Sequence, residues 1–537
     1  MSYHDPGLHF LNCFVRGRLS RRSLFKQSAG LGLGLSALGA SAHALQAKQD
    51  ESPVGTVTWG MDTSVPNIIP FGGIALSQWQ GKEFMYDSLL AWDADLNVIP
   101  ALAESWETPD DATYVFHLRQ GVKFHDGSEM TSKDVVYSFG KALDPVEPGV
   151  KVPYLDNIAS VDAVDDYTVQ VNMSKPDPTL TGTLAWTHYT PIVPDGVFDR
   201  IEVLSDGIGT GPFRLAEYSQ DDRIVYEAFP DFWGEGAPGV QTLILKMLPD
   251  EQQRVAALRS GEIDGATFSS DVAAILESDQ ITVLSGLTSA PAVIHFSMVN
   301  DVPWRSREVR QAINLVIDRQ EIIDKVFGGN AELTAAIPPG FGPWPLDNEV
   351  IAAAYANDVE RAKALMEEAG YADGFDVSLQ SIASPRETTQ IAEIVQQAVK
   401  QLNINVSVEP LEIGTFAANV GTGEFEWAST RRGMRGDPSA HVVDFRTGTS
   451  NNTTWFGDGW KNDEFDTLYD EGLSTVDETR RKEIYDRLQE IVMEEVPNLY
   501  TVQSRKFQAI NNRLQGMYVF YGNTNMGLRD VTVSDGE

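Results

Sequence analysis

The chain has 537 residues, with 77 Asp and Glu against 41 Lys and Arg, and a formal net charge of −36 at pH 7. Such an acidic chain repels phosphate backbones and excludes nucleic acid as a partner, while its length exceeds one core and predicts two or three domains. The single cysteine, Cys13, lies so close to the start that the body of the chain can build neither a thiolate zinc site nor a thiol nucleophile.

Residues Ser20 to Lys26 read SRRSLFK, followed by an apolar, Gly- and Ala-rich run from Ala29 to Ala40 and then Ala42-His43-Ala44. A charged segment, a short apolar segment and an A-x-A site together predict an export signal over residues 1–44. The adjacent Arg21 and Arg22 point to the Tat route, which is read by a receptor. About 12 apolar residues cannot cross a bilayer, which needs roughly 20. Cleavage after Ala44 would remove Cys13 and leave 36 basic against 76 acidic residues. The expectation is a free periplasmic protein with no lipid-bearing cysteine. No later run of 18 apolar residues occurs, so nothing else is expected to be embedded in a membrane.

Leu96 to Gly127 (LNVIPALAESWETPDDATYVFHLRQGVKFHDG) contains a polar turn at Thr108–Asp111, alternation at Tyr114, Phe116 and Leu118, and a second turn at Gln120-Gly121 before Val122 and Phe124. Alternation broken by turns predicts a hairpin with one buried face. Gly207-Ile-Gly209-Thr-Gly211-Pro is glycine-rich enough to suggest a nucleotide loop. It leads, however, into the strand-like FRLAEY and not a helix, so it reads as a crossing turn.

Gln241–Leu248 is an apolar strand, and a helix follows from Asp250 with Val255 and Leu258 inward. Glu308 to Phe327 places Val309, Ala312, Ile313 and Val316 on one face, repeats the pattern at Ile322, Ile323 and Val326, and stops at Gly328-Gly329. Asn357-x-x-Glu360 reads as a capping box for a helix that buries Ala362, Leu365, Met366 and Ala369 and ends at Gly370. Thr388–Leu402 is a further amphipathic helix leading into the alternating Ile404–Val408. The fold class is therefore α/β, with βαβ units and antiparallel hairpins in the N-terminal third.

Catalytic signals are absent. There is no GxSxG elbow, no GxxxxGK[ST] phosphate loop and no HExxH. The histidines of the body, His117, His125, His188, His295 and His441, include no i,i+4 pair. The expectation is no catalytic residue, no cofactor and no dedicated metal site. Tryptophans outside helical stripes (Trp79, Trp186 in WTHY, Trp427 and Trp455) offer large contact areas with one donor each, and core packing is the alternative for every one of them. Arg431, Arg432 and Arg435 gather three cations in an acidic chain, where they could receive a carboxylate or phosphate.

The segment Leu96–Gly127 closely resembles the signature of the extracellular solute-binding proteins of family 5, the peptide, nickel and oligosaccharide receptors that feed ABC importers. Four further stretches resemble the same family in order: RVAALRSGEIDGA (Arg254–Ala266), VRQAINLVIDRQEIIDKVFGGNA (Val309–Ala331) with AAIPPGFGPW after it, RAKALMEEAGYADGF (Arg361–Phe375), and WKNDEFDTLYDEGL (Trp460–Leu473) with RRKEIYDRLQEIVMEEVPNLYT (Arg480–Thr501). The resemblance implies a two-lobed periplasmic-binding-protein fold of the Venus-flytrap kind. The first lobe would have a base domain at 53–90, 205–288 and 505–537 and an inserted accessory domain at 91–204. The second lobe would span 289–504. Ligand binding would close the lobes, and the permease subunits of the importer would read the closed shape.

By the same resemblance, Asp437 in RRGMRGDPSAHVVDF stands where peptide receptors hold an Asp against the ligand amine. Arg435 lies in the basic run that precedes it, where those receptors are more often aromatic. Arg386 stands roughly where dipeptide receptors hold an Arg for the ligand carboxylate, and Trp79 lies where the family often lines the cleft. His188 or His441 could serve a nickel chelate. The ligand set read from the sequence is Asp437, Arg386, Arg435, Trp79, Trp186, His188 and Trp427. The implied function is periplasmic capture of a peptide-like or related small solute by a monomer that delivers it to an ABC permease. The alternatives are a periplasmic peptide- or glycan-handling hydrolase, supported only by the abundance of carboxylates, and a sensory receptor without transport. Peptide, opine, oligosaccharide and metal chelate all remain open as ligands.

Overall fold

The computed structural model describes residues 53–71, 76–94, 96–143, 155–202, 205–234, 238–383, 386–431, 433 and 436–534. The export signal read at 1–44 and the arginines at 432 and 435 lie outside these residues. Three sheets organise the chain. The largest runs Ile281–Leu287, Val502–Asn511, Gly265–Phe268, Thr56–Met61, Thr242–Met247, Arg223–Ala228 and Phe213–Ser219, and Ala331–Leu333 also pairs with Val502–Asn511. Burial alternates strictly along Thr242–Met247, as one covered face requires.

The hairpin expected near residue 110 is present as Ala103–Asp110 paired antiparallel with Thr113–Leu118. Tyr114, Phe116 and Leu118 are buried, and the residues between them are half-buried. Thr168–Met173 and Ile158–Asp165 complete a four-stranded antiparallel sheet. Val122 and Phe124 are buried but extend no strand; only an isolated bridge joins Lys123 to Glu129.

The third sheet runs Asn405–Leu411, Asp376–Ile382, Trp427–Arg431, Ala292–Phe296 and Asn498–Tyr500. Asp376–Ile382, the helix Glu387–Val399 and Asn405–Leu411 form the expected parallel βαβ unit. Two helix readings are corrected in detail. The periodic run 308–327 is two helices, Arg307–Val316 and Arg319–Phe327, because Ile317 turns extended and Asp318 accepts the N–H groups of Gln320 and Glu321 as a cap. Asp358, and not Asn357, caps Val359–Glu368 by accepting from the Arg361 N–H at 2.9 Å.

The chain passes from the largest sheet to the third at 288–291, between Ile281–Leu287 and Ala292–Phe296, and returns at the single residue Thr501, between Asn498–Tyr500 and Val502–Asn511. Thr501 is fully buried, and its N–H and hydroxyl both donate to the Ala292 carbonyl at 3.0 Å, which ties the two crossing strands together. The glycine run at 207–211 is a close backbone crossing: a Cβ on Gly209 would stand 2.2 Å from the Met85 carbonyl oxygen. His125 clamps it, with Nε2 3.0 Å from the Gly211 oxygen and Nδ1 3.3 Å from the Gly209 N–H.

Candidate ligand site

A pocket opens beside the small antiparallel pair Leu90–Trp92 and Val98–Pro100. Its enclosed free volume is about 110 Å³. Ligand pockets run to roughly 300–1,000 Å³, so a solute larger than a few heavy atoms needs the walls to part or extends through the open mouth. Its walls come from three distant stretches of chain: Trp79 to Arg119, Ala185 to Gly234, and Tyr518 to Asp530.

The short helix Leu76–Lys82 presents Trp79, whose ring stacks on His188 at 4.0 Å and 15°. A stacked pair of this kind contributes about 0.5–1.5 kcal/mol beyond its buried area. The same helix ends in a buried lysine, Lys82, which donates to the Pro70 carbonyl at 2.7 Å and the Ile69 carbonyl at 3.2 Å, with the His188 carbonyl at 3.5 Å. These bonds fix the wall segments relative to one another. Burial pulls the Lys82 ammonium down to about 7, and burial together with Lys82 holds the His188 imidazole neutral, well below its ordinary range.

Trp186 follows the helix Leu180–Leu184 and stands against Trp92, His188 and Phe520 at 6.2, 4.9 and 6.0 Å. At the back of the pocket Asp87 pairs with Arg529 and also accepts from Trp233 Nε1 at 2.8 Å and Thr210 Oγ1 at 3.1 Å. Its charge is spent inside the protein. Burial raises Glu83 to about 7, against the opposing pull of the Thr524 hydroxyl, the Asn525 N–H, Lys506 and Arg529. Arg119 lies over the Trp233 ring at 5.1 Å while its Nε donates to the Ala101 carbonyl. The interior is therefore largely aromatic, with the Asp87 carboxylate already paired with Arg529.

Of the residues read from the sequence, the pocket brings together Trp79, Trp186 and His188. The others stand elsewhere. Trp427 is fully buried in the core of the third sheet against Phe296 and Trp304, which corrects its reading as a ligand contact. Asp437 caps the helix Pro438–Val442 through the Ser439 N–H at 2.9 Å, and both its oxygens accept from Arg481 at 3.0 Å. The carboxylate expected to face a ligand amine is thus occupied by an arginine 44 residues later. Arg386 is exposed at the start of the helix Glu387–Val399, apart from the pocket lining. Arg435 lies outside the described residues. The sequence reading missed Trp92, Phe232, Trp233, Tyr518 and Phe520; only the indoles, each beside a polar turn, carried any local signal.

Residues 97–453 match the bacterial extracellular solute-binding proteins, family 5, middle region, which is more than half of the chain. The chain belongs to the bacterial extracellular solute-binding proteins of family 5. Among its relatives, heme-binding protein A of Haemophilus influenzae is 30% identical over 78% of this chain and 81% of its own length. Glutathione-binding protein GsiB of Pectobacterium atrosepticum is 28% identical over 83% and 88%. The structure of AgaA from A. tumefaciens R10 in complex with agropinic acid superposes with a TM-score of 0.75 at 26% identity, covering 90% of this chain and 99% of that one.

As a family 5 solute-binding protein, the molecule has the two-lobed α/β fold of periplasmic binding proteins and serves as the capturing component of an ABC importer. Among the described residues no helix is long and apolar enough to cross a membrane. Gly436 lies against Gly182 and against Trp186, which lines the pocket.

Proposed function

We propose that the protein is the periplasmic receptor of an ABC importer for a small solute with a planar or apolar body, peptide-like or related to one, held in the aromatic pocket of the first lobe. One observation carries the reading: Trp79, Trp92, Trp186, Phe232, Trp233, Tyr518 and Phe520 converge on one cavity whose buried acid Asp87 is already paired with Arg529. Aromatic walls with few unspent charges favour stacking and apolar contact over recognition of an isolated ion. Among the relatives and neighbours, the name that mentions heme supports a planar, apolar body, and those that mention glutathione, a peptide and agropinic acid support a peptide-like or related small solute.

Delivery to the periplasm would use the twin arginines Arg21 and Arg22 and the Tat route, and the molecule would act as a monomer without catalysis. We place the base domain at 53–90, 205–288 and 505–537, the accessory domain at 91–204 and the second lobe at 289–504. Supporting this division, each of the three sheets draws its main strands from one of these sets.

The test is thermal-shift screening of the refolded, ligand-stripped protein against aromatic dipeptides, glutathione, agropinic acid, heme, maltooligosaccharides and a nickel chelate. The reading expects a rise in Tm with one of the first four that Trp79→Ala abolishes. A rise confined to the sugar or the nickel chelate and untouched by Trp79→Ala would refute it.

A further inference from the structure

Closure of the two lobes needs a contact that can form only at a defined depth, and the seam beside the pocket has that character. A Cβ on Gly182 would stand 2.4 Å from the Gly436 carbonyl oxygen, and a Cβ on Gly436 would stand 3.0 Å from the Gly182 carbonyl oxygen. Glycine on both sides thus lets backbone meet backbone across the lobes. The same hypothetical Cβ on Gly436 would lie 2.9 Å from both Cδ1 and Nε1 of Trp186. On the far edge of that ring, a Cβ on Gly522 would stand 2.7 Å from Cη2. Trp186 is therefore gripped between a second-lobe glycine and a first-lobe glycine while its face forms pocket wall.

Among the described residues the ring is held by packing alone. Its Nε1 is buried and has no hydrogen-bond acceptor among the described residues, whereas the neighbouring Trp233 is anchored through Nε1 to Asp87. An indole without a polar anchor takes its position from what fills the space around it.

We propose that Trp186 is the positioning residue that couples occupancy of the pocket to closure, by presenting the surface on which Gly436 seats. This rests on the assignment of the pocket as the solute site. A solute behind the ring braces it where Gly436 closes against it, so the closed form gains contacts that the open form lacks. An empty pocket leaves the ring unbraced. The two glycines set how far the lobes approach, and Trp186 sets when they do.

The experiment uses a tethered occupant and needs no knowledge of the natural solute. In a Cys13→Ser chain carrying 5-fluorotryptophan, Ala91→Cys places one thiol on the pocket wall, which benzyl methanethiosulfonate converts to a benzyl group inside the cavity. The ¹⁹F signal of Trp186, assigned by its loss in Trp186→Phe, should move on modification. The radius of gyration from small-angle X-ray scattering should fall, as the closed-to-open ratio rises by about tenfold. Trp186→Ala should remove that response while the chain remains folded by circular dichroism. Gly436→Val should hold the radius high with or without the benzyl group. An unmoved ¹⁹F signal, an equal response in Trp186→Ala, or a Gly436→Val radius equal to that of the parent would each overturn the proposal. The outcomes separate from those of the solute screen. The seam can respond to the tether even if natural solutes ignore Trp79, in which case the pocket assignment fails and the coupling stands.

Discussion

Acid should loosen the first lobe through His125. This imidazole is half-buried and satisfied in its neutral form, with Nε2–H donating to the Gly211 carbonyl at 3.0 Å and Nδ1 accepting the Gly209 N–H at 3.3 Å. A second proton would have to sit on Nδ1, facing another donor. Burial, more than any neighbouring charge, lowers its pKa to about 4, against about 6.5 in an unfolded chain. Because the folded value is the lower one, the unfolded state takes up the proton first. Stability is complete above about pH 6.5 and is lost as pH falls toward 4. A gap of about 2.5 units at about 1.4 kcal/mol each puts the loss at roughly 3 kcal/mol. The assay is urea unfolding of the parent and of His125→Gln, from neutral pH down to about 4. His125→Gln keeps a side-chain donor but cannot titrate, so it should be less stable at neutral pH and should approach the parent as pH falls. A difference between the two that stays constant across that range would refute the reasoning.

Gly209→Ala should destabilise the protein by at least 2 kcal/mol in the same unfolding assay, since the crossing leaves no room beside the Met85 carbonyl. Arg481→Leu should cost about 3–5 kcal/mol by leaving the buried Asp437 carboxylate unpaired. The double variant Asp437→Leu/Arg481→Leu should recover much of that loss, and a double variant worse than either single one would show that the pair is not the source. Trp427→Ala should cost about 3–5 kcal/mol of stability while solute affinity, measured by calorimetry on the folded fraction, stays unchanged. Trp79→Ala should do the reverse, weakening solute binding by tenfold or more with a small change in Tm.

Much of the scaffold could be read from the sequence because its signals are local. Tyr114, Phe116 and Leu118 alternate, Ile391 and Val395 recur at helical spacing, and Asp250 and Gly261 bracket a helix as side-chain cap and left-handed stop. Where two caps compete the reading slipped, by one residue at Asp358 and by a helix break at Asp318. The site was legible only in part. Trp79, Trp186 and His188 lie near one another in space although more than 100 residues separate the first from the others, and the wall that completes them comes from Tyr518 to Asp530. Nothing in a linear pattern tells an indole on that wall from Trp427, an indole in the core. Asp437 looked available because its partner, Arg481, sits on the helix Glu478–Glu495.

The position of Val502–Asn511 bears on the order in which this protein can be made. It pairs with Ile281–Leu287 on one side and Gly265–Phe268 on the other, so, among the described residues, the last long strand fills an interior place in a sheet whose first strand is Thr56–Met61. A ribosome that has released only the first five hundred residues has produced a first lobe with a missing plank, its neighbours exposing unpaired backbone on both sides of the gap. The third sheet, whose strands lie between Ile281–Leu287 and Val502–Asn511 in sequence, can assemble meanwhile. Completion of the largest sheet waits for Val502–Asn511 to emerge, and a chain truncated before Val502 should persist as a partly built, aggregation-prone species.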